Sequence, residues 1–247
     1  MSKDSLFSYT WKAYTSSFWL ILLMAVPGLL ALAIPMFVGT PTFLALGATY
    51  LRTNSIPDLS PANAALMVAA ALVSVFLMSF CIVSINLVIK RERTLTHIRE
   101  EIMQSLGTTT LSVFWIYLVT ALLLLIIQLY TFEYGVQALL APLFGLVIGL
   151  VILLMPTAMV MDEVRPWRAF ERAMDTMLRK WPLIVLWLLT GLFAASLVEL
   201  VLLALEPIRP AVPFLVLLFN SMFLMPFLIV MLGQIYISKY TIIAKSN

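Results

Sequence analysis

Residues 137–161 read QALLAPLFGLVIGLVILLMPTAMVM, twenty-five positions without one charged side chain. At 1.5 Å of rise per residue, about 20 such residues in a helix cross the apolar layer of a bilayer. The run does not alternate in polarity, and in lipid every backbone N–H and C=O needs an internal partner. It therefore predicts a spanning helix rather than a barrel strand. Five further stretches read the same way, roughly 18–38, 62–89, 111–132, 182–205 and 213–238. Glu199 is the single charged residue within all six.

Composition agrees with this reading. Of 247 residues, 63% are hydrophobic and 11% charged, against roughly 25% charged in soluble domains. A water-soluble fold of this length could not cover its surface. The expected class is an all-α polytopic membrane bundle, one domain over residues 1–247. The apolar run after Lys12 is too long for a signal-peptide core, so 18–38 is expected to be a retained first span.

The loops give an orientation. The segments before 18, between 89 and 111, between 161 and 182, and after 238 hold 13 of the 15 Lys and Arg residues; Arg52 and Arg209 are the other two. By the positive-inside rule, both termini are expected in the cytoplasm of a cell that carries the protein in its cytoplasmic membrane. The external side keeps one sizeable segment, 39–61, and two short turns near Glu133–Gly135 and Glu206–Pro213.

Within the second, fourth and sixth spans a frame recurs: LMSFCIVS at 77–84, LMPTAMVM at 154–161 and LMPFLIVM at 224–231. Aromatic residues open the odd spans, with Phe18-Trp19, Phe114-Trp115 and Trp181. Upstream of each lies a segment with helical periodicity. In 165–181 the apolar stripe is Trp167, Phe170, Met174, Met177, Leu178 and Trp181, and Pro166 suits a first helical turn. In 6–18 the stripe is Phe7, Trp11, Tyr14 and Phe18; in 93–107 it is Leu95, Ile98, Ile102 and Leu106. The expected unit is thus a cytoplasmic amphipathic helix followed by a hairpin of two spans, used three times over roughly 6–90, 91–164 and 165–240. Pro156 and Pro226 are expected to bend their spans, and Ser79 to bend its span more gently by bonding back to its own helix.

The stretch PTAMVMDEVRPWRAFERAMDTMLRKWPLIVLWLL (156–189) resembles YciC-like proteins and the membrane domain attached to some glycerophosphodiester phosphodiesterases. The shared layout is a proline-bearing span end, an acidic turn, and an Ala/Arg-rich helix closed by a basic-aromatic pair. The resemblance implies the six-span architecture and supplies no catalytic residue.

Little in the sequence suggests reaction chemistry. One cysteine, Cys81, and one histidine, His97, exclude an intrachain disulfide and argue against Cys/His metal or catalytic sets. Phosphate loops, HExxH and GxSxG are absent, and no cofactor, metal or nucleic-acid partner is expected. The acid pair Asp162–Glu163 is read as favouring the N-terminal dipole of the helix that follows. Glu199 and Asn220 are candidate intramembrane polar residues, and Ser79, Pro156 and Pro226 candidate hinges. Arg168, Arg172, Arg179 and Lys180 are candidate ligands of anionic lipid headgroups. The expected function is non-enzymatic: engaging inner-leaflet lipid, or serving as the membrane partner of another protein. The alternative is a small-solute or lipid transporter with a path between the hairpins.

Overall fold

The computed structural model describes residues 3–38, 60–94, 99–204 and 211–241. Every regular element among them is helical. In chain order these are α1 (Lys3–Ser16), α2 (Phe18–Val38), α3 (Pro61–Thr94), α4 (Arg99–Glu133) and α5 (Gln137–Leu153). They continue with α6 (Met155–Asp162), α7 (Pro166–Arg179), α8 (Trp181–Leu203), α9 (Val212–Phe219), a π turn (Asn220–Leu224) and α10 (Met225–Thr241). Six stretches are long and apolar enough to cross a membrane: Phe18–Pro35, Pro61–Arg91, Leu106–Glu133, Leu139–Asp162, Trp181–Leu203 and Val212–Ser238. The chain is a multi-pass, all-α membrane protein. Most of the 39–61 loop with Arg52, the segment with His97, Arg209, and the side chains of 92–105 lie outside the described residues.

Three helices make the centre. α3, α6 and α10 each pack against the other two, while α2 lies on α3, α4 on α3 and α5, and α8 on α9 and α10. The Leu-Met frame falls in these central helices. Its third position (Ser79, Pro156, Pro226) and its seventh (Val83, Val160, Val230) are buried in all three copies. Residues four apart share one helix face, so the frame marks the side each helix turns inward.

Lipid tails are as apolar as leucine, so helices in a bilayer are held by close packing and interhelical hydrogen bonds. Both are present. A Cβ added to Gly28 of α2 would lie 2.9 Å from Cys81 Sγ of α3, so the absence of a side chain there sets how near the two helices approach. Likewise, a Cβ on Gly191 of α8 would meet Leu228 Cδ1 of α10 at 3.0 Å. One turn away, Trp187 Nε1 donates to the Leu228 carbonyl at 2.8 Å.

The three expected bends take three forms. At Pro156 the helix breaks at Leu154 and restarts as α6 with the proline in its first turn, where its missing N–H costs nothing. Ahead of Pro226 the chain widens into the π turn, and Met225 N–H donates to the Asn220 carbonyl. At Ser79 the helix stays continuous; the Ser79 hydroxyl donates to the Val75 carbonyl at 2.7 Å.

Of the segments upstream of the odd spans, the one before the third span differs from expectation. Residues 99–133 form one uninterrupted helix, because no proline interrupts 99–133, unlike Pro182, which opens α8. α1 and α7 are separate helices, and each apolar stripe is divided: part of it packs on the bundle and part is exposed. α7 turns Ala169, Ala173 and Thr176 inward, leaving Trp167, Leu178 and Trp181 exposed and Phe170, Met174 and Met177 half-buried. α1 buries Leu6, Thr10 and Tyr14 and leaves Phe7 and Trp11 exposed. In a membrane protein a stripe of large apolar residues need not face protein.

Candidate functional site

The densest group of polar side chains lies where α3, α6 and α10 end near α7. α6 stops at Asp162, and Glu163 adopts a left-handed conformation (φ 52°), which a residue with a side chain adopts at a cost. The chain then passes through extended Arg165 into Pro166, the first residue of α7. Both acids therefore sit at the C-terminal end of α6. The helix dipole disfavours negative charge there, contrary to the expectation that it would welcome them.

Cations offset this. The Asp162 side chain is 3% exposed, and its Oδ2 accepts hydrogen bonds from Arg172 Nη1 of α7 and from the Tyr236 hydroxyl of α10, the latter at 2.6 Å. Tyr236 is completely buried. Lys90 of α3 pairs with Glu163, and its Nζ also donates to the Val160 carbonyl at 3.0 Å, satisfying an acceptor in the last turn of α6. Lys180, between α7 and α8, donates to the Ile235 carbonyl and to Ser238 Oγ of α10, both at 2.7 Å. Three basic residues thus tie α3, α7 and α8 to the ends of α6 and α10. A buried acid held by an arginine and a tyrosine is strongly fixed, because removing either partner strands charge away from water.

Neighbouring polar groups are less well satisfied. Among the described residues, Thr10 Oγ1, Ser84 Oγ, Asn86 Oδ1, Thr110 Oγ1 and Thr176 Oγ1 are buried without a hydrogen-bond partner. Asn86 Nδ2 donates to the Ile82 carbonyl at 2.9 Å. In α1, Tyr14 packs edge-on against Phe18 and Phe227, each 5.6 Å away. Burial there pushes its phenol pKa up.

The expected site residues fall into separate places. Arg172 and Lys180 are committed to Asp162 and to α10. Arg168 is exposed, and Arg179 pairs along its own helix with Asp175 at 2.6 Å. Ser79, Pro156 and Pro226 are all buried in the central trio. Glu199 lies on an exposed face of α8. Asn220 opens the π turn with Oδ1 buried and unpartnered. Among the described residues, no three His, Cys, Asp or Glu side chains come together as a metal site would require. Sequence reasoning missed Tyr236. The available signal was an acid and an arginine ten residues apart, flanking a turn and a proline.

Comparison with known proteins adds no relative: no family model, no curated protein and no solved structure matches the chain.

Proposed function

We propose that this is a non-enzymatic protein of the cytoplasmic membrane that engages anionic headgroups of the inner leaflet through α1 and α7. Organising lipid and seating a membrane-protein partner are the roles such a surface serves. The observation that carries this reading is the division of α7 into three sectors. Ala169, Ala173 and Thr176 face the bundle, with Phe170 and Met177 packed half-buried at their edge; Trp167, Met174 and Leu178 form an apolar side; Arg168, Glu171, Asp175 and Arg179 form a charged side. With Trp167 71% exposed and stacked on Phe170 at 5.8 Å, the apolar side suits the acyl boundary, and the cations beside it suit phosphate oxygens. The count of basic residues in the loops supports placing this face in the cytoplasm. The layout shared with YciC-like proteins is a proposal about architecture and lends no activity.

The alternative, a path between the hairpins, draws less support. Glu199 stands on the outside of α8, and the central trio buries Val83, Met155, Ala158, Met159, Val160, Val230 and Met231.

The test uses nanodiscs containing brominated phosphatidylglycerol or brominated phosphatidylcholine. Subtracting the emission of Trp167→Phe from that of the unmodified protein isolates the Trp167 signal. Stronger quenching by the anionic lipid is expected. The double change Arg168→Gln/Arg179→Gln should lower that preference roughly tenfold or more, at about 1 kcal/mol for each basic residue near the surface. Equal quenching by the two lipids would refute the reading.

A further inference from the structure

Of the groups on α7, Arg172 is the one whose place is hardest to reconcile with a helix that only rests on lipid. It points into the bundle end, yet its side chain is 41% exposed. We infer that the Asp162–Arg172–Tyr236 group is a latch that holds α7 on the bundle, and that anionic headgroups release it by competing for Arg172. The inference rests on the lipid-facing role of α7 proposed above.

The seat of α7 is shallow. Its fully buried side chains are two alanines and a threonine, with Phe170 and Met177 packed half-buried at their side, so no large side chain of α7 is completely enclosed by the bundle. The threonine hydroxyl is buried without a partner, a cost that water removes as soon as the seat opens. The connection into α7 is under backbone strain at Glu163 (φ 52°), and release allows that residue an ordinary conformation. At the other end, Lys180 stays bonded to the Ile235 carbonyl and Ser238, giving a fixed pivot. The large apolar side chains, Trp167 and Leu178, are already outside the protein and keep their lipid surroundings throughout.

Beyond that packing, the hold on the helix is polar. Lifting α7 exchanges a carboxylate for a phosphate as the partner of Arg172, and Asp162, no longer covered, becomes hydrated instead of stranded. An exchange of one anion for another is close to balanced, so the supply of competing headgroups decides it. Asp162 and Tyr236 act as positioning residues: they withhold Arg172 from lipid until enough anionic lipid surrounds the helix.

The test reads exposure of the seat itself. Ala169 is buried and lies far along α7 from the Lys180 pivot, and the single native thiol, Cys81, is fully buried. The unmodified protein therefore supplies the background for an A169C variant labelled with a charged maleimide in nanodiscs, whose two faces are both open to reagent. Labelling of A169C should be at least tenfold faster in phosphatidylglycerol than in phosphatidylcholine. Adding D162N should make it fast in both lipids. Y236F, a smaller change, should shift the rate in phosphatidylcholine the same way and keeps the test open if D162N does not fold. A labelling rate indifferent to lipid and to both substitutions overturns the latch. If Trp167 quenching still prefers the anionic lipid in that case, the headgroup role stands without the latch. If the quenching preference is absent as well, both fail together.

Discussion

The contact between Gly28 and Cys81 offers a test whose sign can be reasoned in advance. Replacing Gly28 by alanine places a methyl 2.9 Å from Cys81 Sγ, closer than real Cβ contacts come, while Cys81 Cβ and Met225 Cε stay at 3.5 Å, ordinary van der Waals range. Overpacking of this kind costs about 1–3 kcal/mol. Alanine in place of glycine in a helix returns about 1 kcal/mol. The single change Gly28→Ala should therefore destabilise by about 1 kcal/mol. Cys81→Ala removes the one atom that clashes and alone costs about 1 kcal/mol for the space it leaves. Combined, the added methyl occupies that space, the clash is gone and the helix gain is retained. In the Cys81→Ala background, Gly28→Ala should thus stabilise, and the two changes should couple by about 1.5 kcal/mol or more. Equilibrium unfolding in mixed micelles of rising dodecyl sulfate fraction, followed by circular dichroism, measures all four proteins. If Gly28→Ala destabilises equally in both backgrounds, the close approach of α2 to α3 is not what positions these helices.

Three further outcomes follow from individual contacts. Tyr236→Phe leaves the buried Asp162 carboxylate one donor short and should cost about 1.5–3 kcal/mol in the same unfolding assay; a loss below about 0.5 kcal/mol would contradict the hydrogen bond. Ser79→Pro imitates the other two copies of the frame but falls in a continuous helix, so it should cost about 3 kcal/mol or more, whereas Ser79→Ala should stay within about 1 kcal/mol. At the left-handed Glu163, Glu163→Gly and Glu163→Ala both remove the exposed pair with Lys90, yet the glycine protein should be the more stable by about 1 kcal/mol; equal stabilities would remove the argument for strain in that turn.

The spans were readable because hydropathy is a property of chain segments. Residues 18–38 were expected and Phe18–Val38 is found. The frame at 77, 154 and 224 was readable as a recurrence, and its common feature is the inward face at Ser79/Val83, Pro156/Val160 and Pro226/Val230. What each proline would do to its helix was not legible. A proline removes one donor, but whether the chain answers with a break at Leu154 or a wide turn at Asn220 depends on the neighbours that take up the freed carbonyls. The packing face of α7 was not legible, for a physical reason. Periodicity separates apolar from charged sides, but it does not divide protein from lipid: Ala169, Ala173, Phe170 and Met177 meet protein, while Trp167 and Leu178 are exposed. Asp162 was visible as an acid near a helix boundary; its partners Arg172 and Tyr236 come from two other elements, and their meeting is tertiary.

The central position of α10 bears on how the chain is made. The last spanning segment supplies Val230, Met231, Ile235 and Tyr236, all completely buried, to contacts with helices synthesised long before. Until those residues leave the ribosome, α3 and α6 have no third partner, Asp162 lacks its tyrosine, and Lys180 has no carbonyl to hold. Earlier hairpins can enter the bilayer one by one, but the bundle assembles only once α10 has been made. A chain ending before about residue 225 would be inserted yet incomplete, with polar groups meant for the centre left facing lipid. Such a product is what membrane proteases remove, so a stop just before α10 should be as damaging as one before α3.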